Sequence, residues 1–195
     1  MTQESDSLKL ISNWIQRLDE ISEKVKTGRL AVLLPMQCAI GYTADVKLFK
    51  KKMLEKHTLD AVFSFPPDMF HPGANAIACC MIFNLGTRHE NAPIKETFFG
   101  YFKDDGFTKK KNLGRIENTD ENGKGVWESI EKEWINLYNS RVIKNGISIT
   151  KEVNADDEWL AEAYMETDYS NLNQDDFQKV LNQYLGYLIS SGRLP

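Results

Sequence analysis

Leu59-Asp-Ala-Val-Phe-Ser-Phe-Pro66 and Ala76-Ile-Ala-Cys-Cys-Met-Ile-Phe-Asn84 are two short apolar runs separated by Pro67-Asp-Met-Phe-His-Pro-Gly-Ala-Asn75. Each run is too short for a helix and reads as a strand. No helical pattern lies between them, so the second strand has no crossover to follow and is expected to run antiparallel to the first. The connecting loop is stiffened by prolines and carries Phe70 and His71 at its tip, the composition of a ligand-facing lip.

Upstream of this pair, Arg29-Leu-Ala-Val-Leu-Leu-Pro35 is a third apolar run. It lacks alternation, as expected of a central, parallel strand buried on both faces. Before it, Leu8, Ile11, Trp14, Ile15, Leu18, Ile21 and Val25 recur at helical spacing and predict an amphipathic helix that ends at Thr27-Gly28. After it, Met36 to Thr43 reads as a turn and residues 44–56 as a helix, with Val46, Phe49 and Met53 inward and Lys47, Lys50, Lys51 and Lys52 outward. Helix, strand, helix, strand, loop, strand is the order of an α/β sheet.

The second half changes character. Glu96-Thr-Phe-Phe-Gly-Tyr-Phe102 predicts an aromatic strand on or near the sheet edge. Segment 103–116 reads as a polar, glycine-punctuated loop with five basic and two acidic side chains, and segment 118–125 as a further loop. Amphipathic helices are expected over 126–138 and 174–189, with a partly helical stretch around 156–164 between them. The expected division is 1–95, the sheet-bearing part, and 96–195, an extension of aromatic strand, basic loop and helices.

Composition narrows the function classes. With 195 residues, 24 basic and 28 acidic side chains and a net charge of −4, the chain can bury a sizeable core but is no general polyanion binder. Nucleic-acid contact must therefore be local. Lys103, Lys109, Lys110, Lys111 and Arg115, interleaved with Phe102 and Phe107, form such a local patch, although a lysine run on a turn is usually just solvated. Cys38, Cys79 and Cys80 have neither metal nor redox spacing, which suggests reduced thiols in a cytoplasmic protein. The polar N-terminus has no signal-peptide or spanning segment behind it, so neither export nor a membrane is expected.

Few residues offer chemistry. No glycine-rich turn directly follows a strand, so no phosphate or nucleotide cradle is expected; Gly123-Lys-Gly125 follows a polar loop. His57, His71 and His89 lack neighbours at ligand spacing, and no metal site is assigned. Asp156-Asp-Glu158 before a helical pattern reads as a helix N-terminus. Phe70 could stack on a ligand or a base, or fold onto the core.

Taken together, Gly28-Arg-Leu-Ala-Val-Leu-Leu-Pro35, Lys52-Met-Leu-Glu-Lys-His-Thr-Leu-Asp-Ala-Val62, Phe65-Pro-Pro-Asp-Met-Phe70, Thr97-Phe-Phe-Gly-Tyr-Phe-Lys-Asp-Asp-Gly-Phe107, Lys110-Lys-Asn-Leu-Gly-Arg115 and Ala155-Asp-Asp-Glu-Trp-Leu-Ala-Glu-Ala-Tyr-Met165 resemble a known family in their order and spacing. They are similar to the carboxy-terminal half of N6-adenine DNA methyltransferases, in particular the modification subunits of type I restriction-modification systems. That resemblance implies a partial Rossmann-like sheet in which runs 30–34, 59–65 and 76–83 are the last three strands, the final one antiparallel, followed by a mainly helical extension. It implies base-pocket residues Pro67, Phe70 and His71 and contacts from Lys109, Lys110, Lys111 and Arg115 to the DNA backbone.

The family's S-adenosylmethionine loop and catalytic Pro-Pro-aromatic tetrapeptide lie on earlier strands. Phe65-Pro-Pro-Asp68 does not replace the latter, since a polar residue should precede the prolines and an aromatic follow them. No catalytic residue is assigned, and the chain alone is expected to bind no cofactor and to be inactive. Its expected partners are the missing N-terminal half or other restriction-modification subunits, DNA in the complete assembly, or a second copy through the exposed edge of strand 30–34. The competing reading is a free-standing protein-binding module on the same scaffold, acting on a restriction or defence complex.

Overall fold

The computed structural model describes residues 27–41, 43–166 and 174–191. The helix expected over residues 8–25 lies outside them. The described residues up to Met165 form one compact unit, and those from Glu166 onward form another.

The first unit is built on a five-stranded mixed sheet. Its strands are β1 (Gly28–Pro35), β2 (Thr58–Ser64), β3 (Ala78–Leu85), β4 (Thr97–Tyr101) and β7 (Ser148–Lys151), in the order β1-β3-β2-β4-β7. A two-stranded hairpin stands apart from it, β5 (Phe107–Lys110) and β6 (Gly114–Glu117). Helix α1 (Gln37–Ile40) and helix α2 (Ala44–Lys56) lie between β1 and β2, and α3 (Trp127–Ser140) precedes β7. In the second unit, α4 (Gln174–Ser190) forms over the stretch whose periodicity predicts it.

The antiparallel pairing of the two deciding runs holds: β3 runs against β2, with Val62 opposite Met81 and Ser64 opposite Cys79. β3 also runs against β1, where Leu34 faces Cys79. It is thus wedged between two strands that point the same way. The expectation of a central β1 buried on both faces is corrected by this order, because among the described residues β3 is its one neighbour. Leu30, Val32 and Leu34 pack inward, whereas Leu33 on the other face is 53% exposed.

Alternation assigns the two faces of the sheet. Cys79, Met81 and Phe83 of β3 and Phe99 of β4 meet Phe49 and Met53 of α2 on one face. Ile82 and Phe98 meet Leu137, Trp134 and Tyr138 of α3 on the other. In β2 a register shift between Leu59 and Ala61 breaks the alternation, so Leu59 and Val62 face α2 while Ala61 and Phe63 face α3. A bulge of this kind re-aims side chains without ending the strand. Leu59 N–H donates to His89 Nδ1 at 3.3 Å, so the imidazole supplies an acceptor beside the irregularity. Burial holds the His89 pKa below its ordinary value.

Helix α2 begins as its sequence dictates, with the Thr43 hydroxyl accepting from Val46 N–H at 3.4 Å. One of its outward lysines is not outward. Lys50 is 1% exposed, donates to the Asp157 carbonyl at 2.8 Å and stands 5.2 Å from the Trp159 ring centroid. The strap 154–165 crosses the helix here. Trp159 is fully buried, its backbone N–H donates to the Ala39 carbonyl at 3.1 Å, and its Nε1–H to the Asn154 carbonyl at 2.9 Å. The strap contains a single 3-10 turn, Ala161–Ala163, in place of a longer helix.

Burial lowers the Lys50 pKa to about 8, against the nearby Glu158 and Asp157 charges that raise it. In the unfolded chain the amine keeps a normal pKa of about 10.4. Between those values the unfolded state binds more protons, so this group makes stability rise with pH from about 8 upward. Lys50→Met should therefore gain most over the wild type below pH 8, an advantage that shrinks toward pH 10. Urea denaturation of both proteins across that interval checks it; a constant difference would mean that the amine does not titrate there.

Candidate nucleic-acid interface

β1, β2 and β4 point the same way, and their carboxyl ends, Pro35, Ser64 and Tyr101, share one edge of the sheet. Ligands of open α/β sheets bind beyond such carboxyl ends. Two elements project there: the loop after β2 and the chain leading from β4 into the hairpin.

The loop is wound into successive turns. Met69 N–H donates to the Pro66 carbonyl at 3.1 Å, His71 N–H to Asp68 at 2.9 Å and Ala74 N–H to Phe70 at 3.0 Å. Pro66 is buried and Pro67 exposed, His71 is half-buried, and Phe70 keeps 38% of its surface in solvent. Phe70 is therefore partly exposed rather than folded into the core.

The basic segment is the β5–β6 hairpin, not an irregular loop. Lys109 opposes Arg115 and Lys110 opposes Gly114, with Lys111, Asn112 and Leu113 as the connecting turn. Asn112 (φ 64°) and Gly114 (φ 81°) adopt the left-handed backbone that closes so short a connection. At its base, Gly106 also has positive φ, and a Cβ there would stand 2.5 Å from Val126 Cγ2, so only glycine fits. An aromatic chain moors the hairpin to the sheet. Phe63 and Phe102 are 5.1 Å apart, Phe102 stacks on Trp134 at 4.5 Å, Trp134 meets Trp127 at 5.5 Å, and Trp127 meets Phe107 at 6.1 Å.

Arg115 clasps the two elements together. Its Nη1 and Nη2 donate to the two oxygens of Asp105 at 2.7 and 2.6 Å, and its Nε lies 3.2 Å from Asp68 Oδ1 of the loop. The Asp68 contact is an ion pair without hydrogen-bond alignment. The guanidinium carbon also lies 5.4 Å from the Phe107 ring centroid. Hydrogen bonding to Asp105 raises the Arg115 pKa further, so the charge is permanent. Nearby, a Cβ on Gly114 would come 3.8 Å from Pro72 Cδ, so hairpin and loop touch.

Lys103 is likewise engaged internally: its Nζ is 2.6 Å from Glu162 Oε1 and 4.8 Å from the Tyr101 ring centroid. Ser64 Oγ donates to Glu162 Oε2 at 2.7 Å. Burial pushes the Glu162 carboxyl up, but the bonds from Lys103 and Ser64 prevail and hold it below the usual range. Lys109, Lys110 and Lys111 remain exposed at the hairpin. The structure thus brings Pro67, Phe70 and His71 alongside the lysine hairpin, and shows Arg115 with two carboxylate partners. Asp68, Asp105, Ser64 and Glu162 complete the arrangement. Sequence reading passed over them because Asp104-Asp105-Gly106 looks like turn punctuation, and Glu162 lies about a hundred residues from its hydroxyl donor.

Other candidates have structural roles. Among the described residues no three His, Cys, Asp or Glu side chains gather as metal ligands. Asp156 pairs with Lys47 at 2.8 Å, and Asp157 accepts from Asn154 N–H at 2.7 Å, so this carboxylate run stabilises a turn, where a helix start was expected. His57 Nδ1 accepts from Gly86 N–H at 3.1 Å. Burial raises the Cys79 thiol pKa, so that sulfur stays protonated in the core. No helix among the described residues is long and apolar enough to cross a membrane. Among them, no glycine-rich turn follows the carboxyl end of a strand.

No protein-family model matches the sequence. The chain is 31% identical over 166 residues to the type II restriction enzyme and methyltransferase RM.BcgI of Heyndrickxia coagulans, an alignment covering 82% of this chain and 24% of that protein. It therefore spans about a quarter of the length of this curated relative. Among solved structures, it overlaps a modification subunit of a putative type I restriction enzyme from Vibrio vulnificus with 14% identity and a TM-score of 0.43, over 64% of this chain and 22% of the other. A type I restriction-modification methyltransferase subunit from Streptococcus thermophilus gives 19% identity and a TM-score of 0.46, over 64% and 23%. Both scores lie below 0.5, so the structural overlaps are partial. Over four-fifths of its length, the chain is related to a segment of a restriction-modification methyltransferase, the family that its sequence resembles.

Proposed function

We propose that this chain supplies the carboxy-terminal part of a site-specific N6-adenine DNA methyltransferase of a type I restriction-modification system. In this reading β1, β2 and β3 are the last three strands of the catalytic domain, within residues 1–95, and residues 96–195 are the family-specific extension. Pro67, Phe70 and His71 border the pocket that receives an extruded adenine, Lys109, Lys110 and Lys111 face the phosphates, and Arg115 fixes the hairpin that presents them. The observation that supports it is the meeting of an aromatic loop and a lysine hairpin beyond the carboxyl ends of β2 and β4.

The earlier strands, with the cofactor loop and the catalytic tetrapeptide, come from a partner polypeptide or a further part of the protein. The edge of β1 that no described strand pairs with, and its exposed Leu33 face, are where that part, or a second copy, would pair. The chain by itself then neither binds S-adenosylmethionine nor methylates DNA, and it works in the cytoplasm.

Two measurements test the reading. Titration calorimetry should show no S-adenosylmethionine binding by the isolated chain; micromolar binding would overturn the assignment of the cofactor site to another part. Replacing Lys109, Lys110 and Lys111 together by Gln should weaken duplex binding and flatten its logarithmic salt slope by roughly 0.9 for each phosphate that is no longer neutralised. An unaltered slope would remove the lysines from the interface.

A further inference from the structure

The hairpin tip carries a side chain that phosphate binding does not explain. Leu113 is 69% exposed, in a turn flanked by Lys109, Lys110 and Lys111, with Phe70 and Pro72 on the adjoining loop. A flexible tip could fold such a leucine back onto the protein. This one is held out from both sides. Leu113 N–H donates to the Lys110 carbonyl at 3.2 Å, Arg115 two residues on is pinned by Asp105, and Phe107 is anchored through Trp127. An apolar side chain presented rigidly among cations matches a duplex in both chemistries: the lysines meet phosphates, and the leucine meets the apolar faces of stacked bases. Proteins that deform duplexes insert Leu, Ile, Phe or Met between base steps in this way.

We propose that Leu113 is a wedge, entering the base stack beside the position from which a base is withdrawn while Lys109, Lys110 and Lys111 hold the flanking backbone. The inference rests on the nucleic-acid reading above and adds a positioning residue to it. The withdrawn base leaves a gap in the stack, and a leucine side chain that fills it keeps the duplex from reclosing. Base extrusion requires unstacking, so a duplex that already contains a vacancy is the better ligand for a wedge.

The test uses the full chain and a fluorescein-labelled duplex, intact or with one abasic site, followed by anisotropy over a range of salt. The wild type should bind the abasic duplex roughly tenfold more tightly than the intact one. Leu113→Ala, at an exposed turn position, should bind both duplexes equally with the wild-type salt slope, and Leu113→Phe should retain the preference. Substituting the three lysines by Gln should weaken both duplexes together. If Leu113→Ala keeps the abasic preference while the lysine variant loses affinity, the wedge is overturned and the nucleic-acid reading survives. If the wild type binds neither duplex, both fall.

Discussion

Arg115→Met should cost about 3–5 kcal/mol of folding stability and release the lip from the hairpin, because it removes one member of a buried ion pair. Asp105 is 8% exposed, and Arg115 satisfies both of its oxygens. Without the guanidinium, one oxygen still accepts from Phe107 N–H at 3.1 Å, but the carboxylate is left largely buried without its cation. Most of the loss thus comes from the stranded carboxylate. Adding Asp105→Asn to Arg115→Met should then recover a substantial part of it, since the amide oxygen can still accept from Phe107. Urea denaturation of the two variants separates these terms. A double variant no more stable than Arg115→Met would show that the guanidinium's packing on Phe107 and its pairing with Asp68 dominate.

Trp159→Ala should be of similar severity, about 3–5 kcal/mol, for a different reason. The indole is fully buried between Phe83, at 6.3 Å centroid distance, and the Lys50 amine. Truncation leaves a large cavity under the strap and removes the donor to the Asn154 carbonyl. The strap carries Glu162, so its loosening should also free Ser64 and Lys103 at the carboxyl ends of β2 and β4. Trp159→Phe, which keeps most of the volume, should lose much less. Hydrogen exchange would follow the strap directly: the Phe102 amide, which donates to the Ser64 carbonyl at 2.8 Å, should exchange faster in the Ala variant than global unfolding accounts for.

The parts of the fold that rest on local periodicity were open to sequence reasoning. The helix over 44–56 coincides with Ala44–Lys56, and the antiparallel relation of the two deciding runs needs only the absence of a crossover between them. What sequence cannot supply is the identity of non-local neighbours. Leu30 to Leu34 is uniformly apolar whether a strand lies at the centre or the edge, so the exposure of Leu33 follows from strand order alone. Lys50 stands on the polar side of its helix by pattern and is buried because a strap more than a hundred residues away lies over it.

Strand β7 is four residues long, Ser148–Lys151, too brief for alternation to register against its surroundings. At the candidate interface, Phe70 and the lysines were visible as residue types. Their adjacency depends on Arg115 reaching both Asp105 and Asp68, a pairing settled only when the hairpin and the loop fold side by side.

The aromatic chain from Phe63 to Phe107 also makes the molecule its own spectroscopic probe. Trp134 is sandwiched against Phe102 with nearly parallel rings, and Trp127 stands edge-on to it at 84°. Two indoles this close and so steeply inclined couple their electronic transitions, and the sign and size of the resulting near-ultraviolet circular dichroism depend on their mutual angle. Since Trp127 is the residue that Phe107 packs against, any tilt of the hairpin is written into that band. A movement of the lysine tip can thus be followed optically, with no label attached to the protein.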